Sequence, residues 1–479
     1  MKQTFSLSLL GIIPLLAHGQ VSYEKIYLSS TTAQMNLIEM PSQNILTGLA
    51  MGPGISLINT SGTVIHTKHY WNDSMLVQQS LRGCTENSFY FVTAYSIDSC
   101  SAVGSTIIRH THPLVGKIDS LGNVQGAHYY RLTAGTCSHA SMDLEVTRDK
   151  GVITWGGGRP GPQWGSFAIR TDSLGGVVWA KHFNNNGGVQ FIKELPGGDL
   201  LAGMNVGAFG AVVARMDANG NFLWCKSYIR PKGMVHDALI ESDDSFIITG
   251  CTDSIASNMS HLPVPLAYNP KLFMMKLDGL GAVQWCRGFT SSPNKWYARQ
   301  PSRIVRSLDG NYVLLANLGL PGFNIEDHPF LMKVDHNADT LWTNSNGVDG
   351  YRYLVGDLLA SSDGGYFHSG LMYGDLPQNW GGAPYIFKAD TEGQLSCHQR
   401  HHPIEIAELF PVDSSIVLTS VDGATAHQIA LYDTSFAPIS VYDACLITEV
   451  QRHTRQYPKK PLLRPNPNTG RFTVQFHDP

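Results

Sequence analysis

The sequence has little charge and no long apolar run. Asp, Glu, Lys and Arg make up 15% of its 479 residues, and the formal net charge is -4. So small a balance gives no electrostatic argument for a nucleic-acid partner or an anionic membrane surface. No Cys-x-x-Cys, His-Glu-x-x-His, Gly-x-Ser-x-Gly or Walker-type loop occurs. Structural zinc, helical metalloprotease, nucleophile-elbow and phosphate-loop chemistry therefore have no motif to stand on. There is no adjacent cysteine pair, and beyond Leu16 no stretch is apolar enough to span a bilayer.

The chain is instead rich in turns, with 48 Gly and 25 Pro. Residues 1–19 read as a secretory signal peptide: Lys2 gives the positive start, Phe5 to Leu16 is apolar, and Ala17-His18-Gly19 is a small-x-small cleavage site. No Cys follows it, which argues against a lipid anchor. Eight cysteines remain, and export permits disulfides. Cys84 and Cys100 flank one strand and are placed to pair. Cys225 and Cys286 each follow a Trp on equivalent strands and read as small buried residues.

One unit recurs along most of the chain. At Val213 to Tyr228 it is a strand, an Asp217-Ala-Asn-Gly220 turn and a return strand opening with Phe222-Leu-Trp224. The Asp carboxylate can bond backbone two residues on, and Gly supplies positive φ without a Cβ clash. The turn Asp recurs at Asp119, Asp172, Asp217, Asp278, Asp335 and Asp390, with Asn59 in the first copy and Asp433 in a degenerate last one. The Gly recurs at 62, 122, 175, 220, 281 and 393 and is lost at Ala338; the Trp recurs at 179, 224, 285 and 342. Ahead of each hairpin lie two more apolar strands, such as Val189 to Glu194 and Leu200 to Gly203. Four strands in roughly 45 to 60 residues is the size of one β-propeller blade.

The expected fold is therefore an all-β propeller of four-stranded antiparallel blades. Eight turn positions argue for eight blades; seven stay open, because the first and last copies are the weakest. The N-terminal segment Ser22 to Leu28 has no preceding third strand and is expected to close the ring as the outer strand of the last blade. The turn Asp, Gly and Trp need no ligand, since turn chemistry and inter-blade packing explain them.

Tight turns fall on one rim and the insertions on the other. The long-loop rim carries Trp164, Trp296, Tyr297 and Trp380, and rim loops on a rigid scaffold are where binding is usually placed. The innermost strands begin on this rim, so His139, His236, Arg299, Arg303 and Tyr353 are expected near the channel mouth. Trp164, Trp296, Tyr297, Arg299, Tyr353 and Trp380 are the candidate ligand-binding residues, aromatic faces suiting sugar rings and peptide backbone alike. The bland alternative is that these aromatics pack under their own loops. His398, His401 and His402 form a small cluster, read as strand-end histidines rather than a metal site.

After Val450 the composition changes. Residues 450–464 are polar and basic and read as a linker after a propeller spanning 20–449. Residues 465–479 follow with Pro465-Asn-Pro467, Gly470 and Phe472-Thr-Val-Gln-Phe476. This tail resembles the start of the C-terminal sorting domain of proteins exported by the type IX secretion system of Bacteroidetes-type bacteria. The resemblance implies passage through the type IX machinery and a secreted or outer-membrane-surface location. The repeats resemble those of secreted bacterial propellers and of quinoproteins, whose enzymes add a vicinal cysteine pair and cofactor-binding side chains. The Asp-x-x-Gly turn also resembles the Asp-box of sialidases.

The reading is an exported, non-catalytic propeller that binds a polysaccharide or a surface protein on the long-loop rim, with no cofactor, no metal and no membrane span. The alternative is an exported enzyme on the same scaffold: a glycan hydrolase, a lyase or a quinone-dependent oxidoreductase. Two carboxylates, or a His with a carboxylate, at the channel mouth would favour it.

Overall fold

In the computed structural model, residues 22–446 are described except 29–35, 49–53, 73–74, 84–87, 104–105, 134–138, 159–164, 184–186, 208–209, 229–232, 253–270, 292–294, 297–301, 321–325, 375–381 and 437–438. Residues 462–465 and 472–475 are described as well, and form a separate antiparallel pair of short strands. The proposed signal peptide lies outside the described residues.

The fold is an all-β propeller of seven blades, each an antiparallel sheet. Blade 4 shows the pattern: Gly187–Glu194 is innermost, followed outward by Leu200–Val206, Gly210–Met216 and Phe222–Tyr228. In its turn, the N–H groups of Asn219 and Asn221 donate to Asp217 Oδ1 at 2.9 and 2.8 Å, and Gly220 N–H donates to the Asp217 carbonyl. Gly220 takes φ +76°, and the register slips by one residue between Arg215 and Met216, as expected of a glycine bulge. The same carboxylate bonds recur at Asp119, Asp172, Asp278, Asp335 and Asp390. Ala338 holds the left-handed position at φ +63° where the glycine is missing.

The repeat residues also join the blades. The Trp179 ring lies against the Gly220 turn of the next blade, and its Nε1 donates to the Ala218 carbonyl at 2.9 Å. Trp224 does the same to the next turn, donating to Gly279 O at 3.2 Å. Four residues on, a tyrosine hydroxyl reaches the turn-glycine carbonyl: Tyr27 to Gly62, Tyr70 to Gly122, Tyr130 to Gly175 and Tyr228 to Gly281. Seven apolar clusters fill the seven gaps between blades, so the ring is closed. The last of these packs Tyr23, Tyr27, Phe367 and Ile386 of blade 7 against Leu37, Ile45, Ile58 and Val64 of blade 1. The N-terminal strand Tyr23–Leu28 supplies the fourth strand of blade 7, pairing Ala383–Ala389.

Two expectations are corrected. There are seven blades rather than eight, and each carries a fifth strand. After the Asp390 turn the chain does not return as a fourth strand. It leaves the ring and runs around its outside in reverse order. Gln399–Arg400 pairs blade 6, Glu405–Glu408 blade 5, Asp413–Ser415 blade 4, Ser420–Asp422 blade 3, Ala424–Gln428 blade 2, Tyr432–Phe436 blade 1 and Ser440–Asp443 blade 7. Asp433, counted in the sequence as an eighth turn, is a residue of this belt. An apolar side chain is set over each gap: Ile404, Leu409, Ile416 with Leu418, Ala424 with Ala426, Ile429 with Leu431, Ile439 with Val441, and Ala444. Acidic belt residues meet basic ones of the blades at Lys25–Asp443, Lys68–Asp433, Lys181–Asp422, Lys226–Asp413 and Arg287–Glu408.

A disulfide joins Cys397, at the start of the belt, to Cys445, just past its end. Cys225, Cys251 and Cys286 are free and buried. The Cys84–Cys100 pairing concerns side chains outside the described residues. Among the described residues, no helix is long and apolar enough to cross a membrane.

Candidate ligand site on the propeller axis

The rim residues singled out from sequence mostly fall outside the described residues: Trp164, Tyr297, Arg299 and Trp380 do, and Trp296 is described only as part of the short strand Lys295–Trp296. Tyr353 is fully buried between blades 6 and 7, with its hydroxyl accepting the Val348 N–H at 2.9 Å, and presents no ring face to a ligand. His236 is buried too; its Nδ1 accepts the Ser302 N–H at 3.1 Å, tying blade 5 to blade 6. The three belt histidines have separate partners: His398 meets Glu24, His401 the Thr343 carbonyl, and His402 the Ser345 hydroxyl.

The described site lies deeper, where the innermost strands converge. A cavity of about 280 Å³ is lined by one or more residues from all seven blades, among them Leu37, Arg82, Asp143, Gln190, Asp237, Arg303 and Asp357. Register shifts place these side chains. Each of the innermost strands His139–Val146, Gly187–Glu194, Gly233–Ile240 and Arg352–Ala360 is bulged, between Ser141 and Asp143, Val189 and Phe191, Val235 and Asp237, and Val355 and Leu358. A bulge re-aims a side chain without breaking the strand. In three blades the residue delivered at this point is an aspartate.

The carboxylates first serve the ring. Asp237 Oδ2 accepts the Ile304 N–H of blade 6 at 3.3 Å, and Asp357 Oδ2 accepts the Leu37 N–H of blade 1 at 3.0 Å. Arg82 of blade 2 reaches Asp143 of blade 3 at 2.9 Å and Asp357 of blade 7 at 3.6 Å, so one guanidinium spans the axis. Lys193 lies 3.8 Å from Asp237, and Arg303 Nε donates to the Gly356 carbonyl at 3.0 Å. Burial disfavours the charge on Arg82, but Asp143 and Asp357 outweigh it and its pKa rises. Burial also opposes the charge on Lys193, and Glu145 and Asp237 outweigh it in turn. Glu145 goes the other way: burial raises its pKa, and Lys193 and Arg82 recover only part of the rise. Asp143 and Asp357 thus share Arg82, Asp237 lies near Lys193, and Glu145 is the carboxyl whose pKa burial raises.

Trp155 completes the wall. It pairs across the strands with Asp143, is 2% exposed, and its indole N–H has no hydrogen-bond partner among the described residues. A buried donor left unmade costs on the order of 1–3 kcal/mol, so such groups mark places where something else completes the bond. A signal for this site was present in the sequence: Asp143-Leu, Asp237-Ala and Asp357-Leu put a carboxylate at the same place in three apolar first strands.

At the tight-turn end, a second, more open depression of about 580 Å³ is lined by Arg148, Glu194, Glu241 and Arg306 among others. Its polar groups have local partners: Glu194 accepts the Arg148 backbone N–H and lies 3.7 Å from Arg170, the Arg148 guanidinium donates to the Pro196 carbonyl, and Arg306 pairs with Glu241. Glu24, Cys397 and Cys445 bring ligand-type atoms within 4.8 Å of one another, but both sulfurs belong to the disulfide, which leaves no thiolate for a metal.

No family model matches the sequence, and no curated protein matches it. Among solved structures, the chain is similar to a protein of unknown function from Bacteroides caccae, at 11% identity over 81% of this chain and 99% of that one, with a TM-score of 0.37. It is also similar to an ACO/RPE65 chimera, at 9% identity over 76% and 73%, and to a mutant of the Synechocystis apocarotenoid oxygenase, at 10% identity over 79% and 74%, each with a TM-score of 0.27. Overlaps this loose do not bear on what the chain binds, and the blade count rests on its own strand pairing.

Proposed function

We propose that this chain is an exported binding propeller that takes one neutral sugar unit of a polysaccharide into the axial cavity. The carrying observation is the buried Trp155 Nε1–H, without a partner among the described residues, in the wall of a cavity lined by three carboxylates and three cations. Paired carboxylates and cations offer alternating acceptors and donors without selecting a net charge. Hydroxyl groups, which donate and accept together, suit such a lining, and the Trp155 and Phe191 side chains supply apolar wall. The long-loop rim, with Trp164, Trp296, Tyr297, Arg299 and Trp380, would hold the rest of the glycan. The Cys397–Cys445 disulfide and the signal-like residues 1–19 support an oxidising, extracytoplasmic location, and the tail motif supports the type IX machinery as the export partner. A surface-protein ligand for the rim is the companion proposal.

The test is calorimetric titration of the full chain against neutral mono- and oligosaccharides, repeated with Trp155→Phe. That substitution keeps a ring and removes the donor. A sugar that binds and loses tenfold or more in affinity in the variant supports the reading. No binding by any sugar tried, or equal affinity in both proteins, overturns it.

One observation favours the enzymatic reading as a second: the axial cavity gathers the carboxylates of Asp143, Asp237 and Asp357, and Glu145, in the field of Asp143 and Asp237, has its pKa raised by burial, the kind of environment split that gives a glycosidase its acid. Release of reducing ends, abolished by Glu145→Gln, would establish it.

A further inference from the structure

The belt and its disulfide form a closed covalent loop. From Cys397 the backbone passes blades 6, 5, 4, 3, 2 and 1 in turn, and at blade 7 the Cys445 sulfur, 48 positions on, joins the starting sulfur. All seven blades lie inside the hoop. The join lies beside the one place where the ring is closed by strand pairing instead of chain continuity. There the N-terminal strand Tyr23–Leu28 is held between Ala383–Ala389 of blade 7 and the last belt strand, Ser440–Asp443.

The same few residues fasten all three segments. Glu24, fully buried, accepts the N–H groups of Cys397 and His398 at 3.0 and 2.9 Å and meets His398 Nδ1 at 2.9 Å. Its neighbour Lys25 pairs with Asp443 at 2.8 Å, and Asp443 Oδ1 also accepts the Cys445 N–H. Cys397 itself is exposed, so a small thiol can reach the bond.

We propose that the Cys397–Cys445 bond is a thiol-gated latch on the propeller. With the bond closed, the last belt strand cannot move away from the N-terminal strand without dragging the hoop past the blades. With it open, Ser440–Asp443 is held by a four-residue edge pairing, the part-buried Lys25–Asp443 ion pair and the apolar contacts of Ile439, Val441 and Ala444, a short element at the sheet edge of the kind that opens locally before the core does. The N-terminal strand then loses its outer neighbour, and the ring is free to part within blade 7, between Tyr23–Leu28 and Ala383–Ala389. The opening step is ordinary exchange. A thiolate of a dithiol reductant attacks Cys397 Sγ, and Cys445 leaves as the thiolate. The second thiolate of the reductant then displaces Cys397, and the reductant departs as its own cyclic disulfide, two electrons and two protons having passed to the pair.

The experiment is hydrogen exchange by mass spectrometry on the full chain, oxidised and after reduction with dithiothreitol. A Cys397→Ser/Cys445→Ser double variant isolates this bond from the other cysteines. Peptides covering 23–28 and 440–443 are expected to exchange at least tenfold faster once the bond is open, with the strands of blades 3 to 5 unchanged. A protease site inserted between Phe410 and Val412 tests the hoop itself. Cutting there in the oxidised protein should speed unfolding in guanidinium about as much as reduction does, and doing both should add little more. Equal exchange of residues 23–28 in oxidised and reduced protein overturns the latch. Fully additive effects of cutting and reduction overturn the hoop, since two independent staples would behave that way. Because reduction is applied to protein already folded, a serine variant that fails to fold does not remove the test.

Discussion

His398 and Glu24 stand 374 positions apart in the chain and 2.9 Å apart in the fold. The carboxylate is wholly buried and takes two backbone N–H groups besides the imidazole. Removing it strands three groups at once. Glu24→Ala is expected to cost about 3 kcal/mol in urea unfolding, and Glu24→Gln about 1–2 kcal/mol, because an amide oxygen still accepts.

The turn glycines are fixed by two demands together. Gly220 has φ +76°, and a Cβ there would come within 3.2 Å of the Trp179 ring. Gly220→Ala should therefore lose about 1–2 kcal/mol through backbone strain and a pushed-back indole. Gly198, also at positive φ but with open space around it, would suffer only the backbone part. The difference between the two variants in chemical denaturation isolates the inter-blade contact.

Acid should loosen blades 6 and 7 first. Burial lowers the pKa of His328 to about 4 and of His368 to about 3, from an ordinary 6.5. Around His328, Asp349 works against that fall while Arg400 and His402 add to it. A depressed histidine is neutral when folded, and the unfolded chain takes up the proton first. Stability is thus full above pH 6.5 and declines as pH falls toward the folded values, by roughly 3 kcal/mol for His328 alone. Unfolding free energies measured between pH 7.5 and 4 should slope accordingly, and His328→Asn should flatten the slope.

Apolar contact, rather than charge, should hold the belt. Its ion pairs are partly exposed, as in Lys226–Asp413 and Arg287–Glu408, and such pairs contribute about 0–1 kcal/mol each. Asp413→Asn or 1 M salt should leave amide protection of residues 405–436 nearly unchanged. Leu409→Ala, which uncovers the gap between blades 4 and 5, should raise exchange at 405–408 several-fold.

Much of the ring was legible in the sequence because a blade is a local object. The hairpin of blade 4 is specified within a dozen residues by period-2 alternation, a carboxylate that bonds its own turn and a glycine that accepts positive φ. The belt was not legible. Its strands are only two to five residues long and their pattern is set by the grooves they cover, so Asp433 passed for one more turn. The axial site was half legible: Arg303 was expected in the channel, but Asp143, Asp237 and Asp357 were not singled out, because it is the bulges that turn them inward.

By itself the sequence determined an all-β repeat and the chemistry of its turns, since these depend on neighbours in the chain, and the closing role of Tyr23–Leu28, since the count of strands left that segment without a blade of its own. Only the tertiary structure decided the number of blades, the route of residues 399–443, the pairing of Cys397 with Cys445 and the meeting of Arg82 with Asp143 and Asp357. Each of these joins residues far apart in sequence, and their pairing is set by ring closure, which no local propensity encodes.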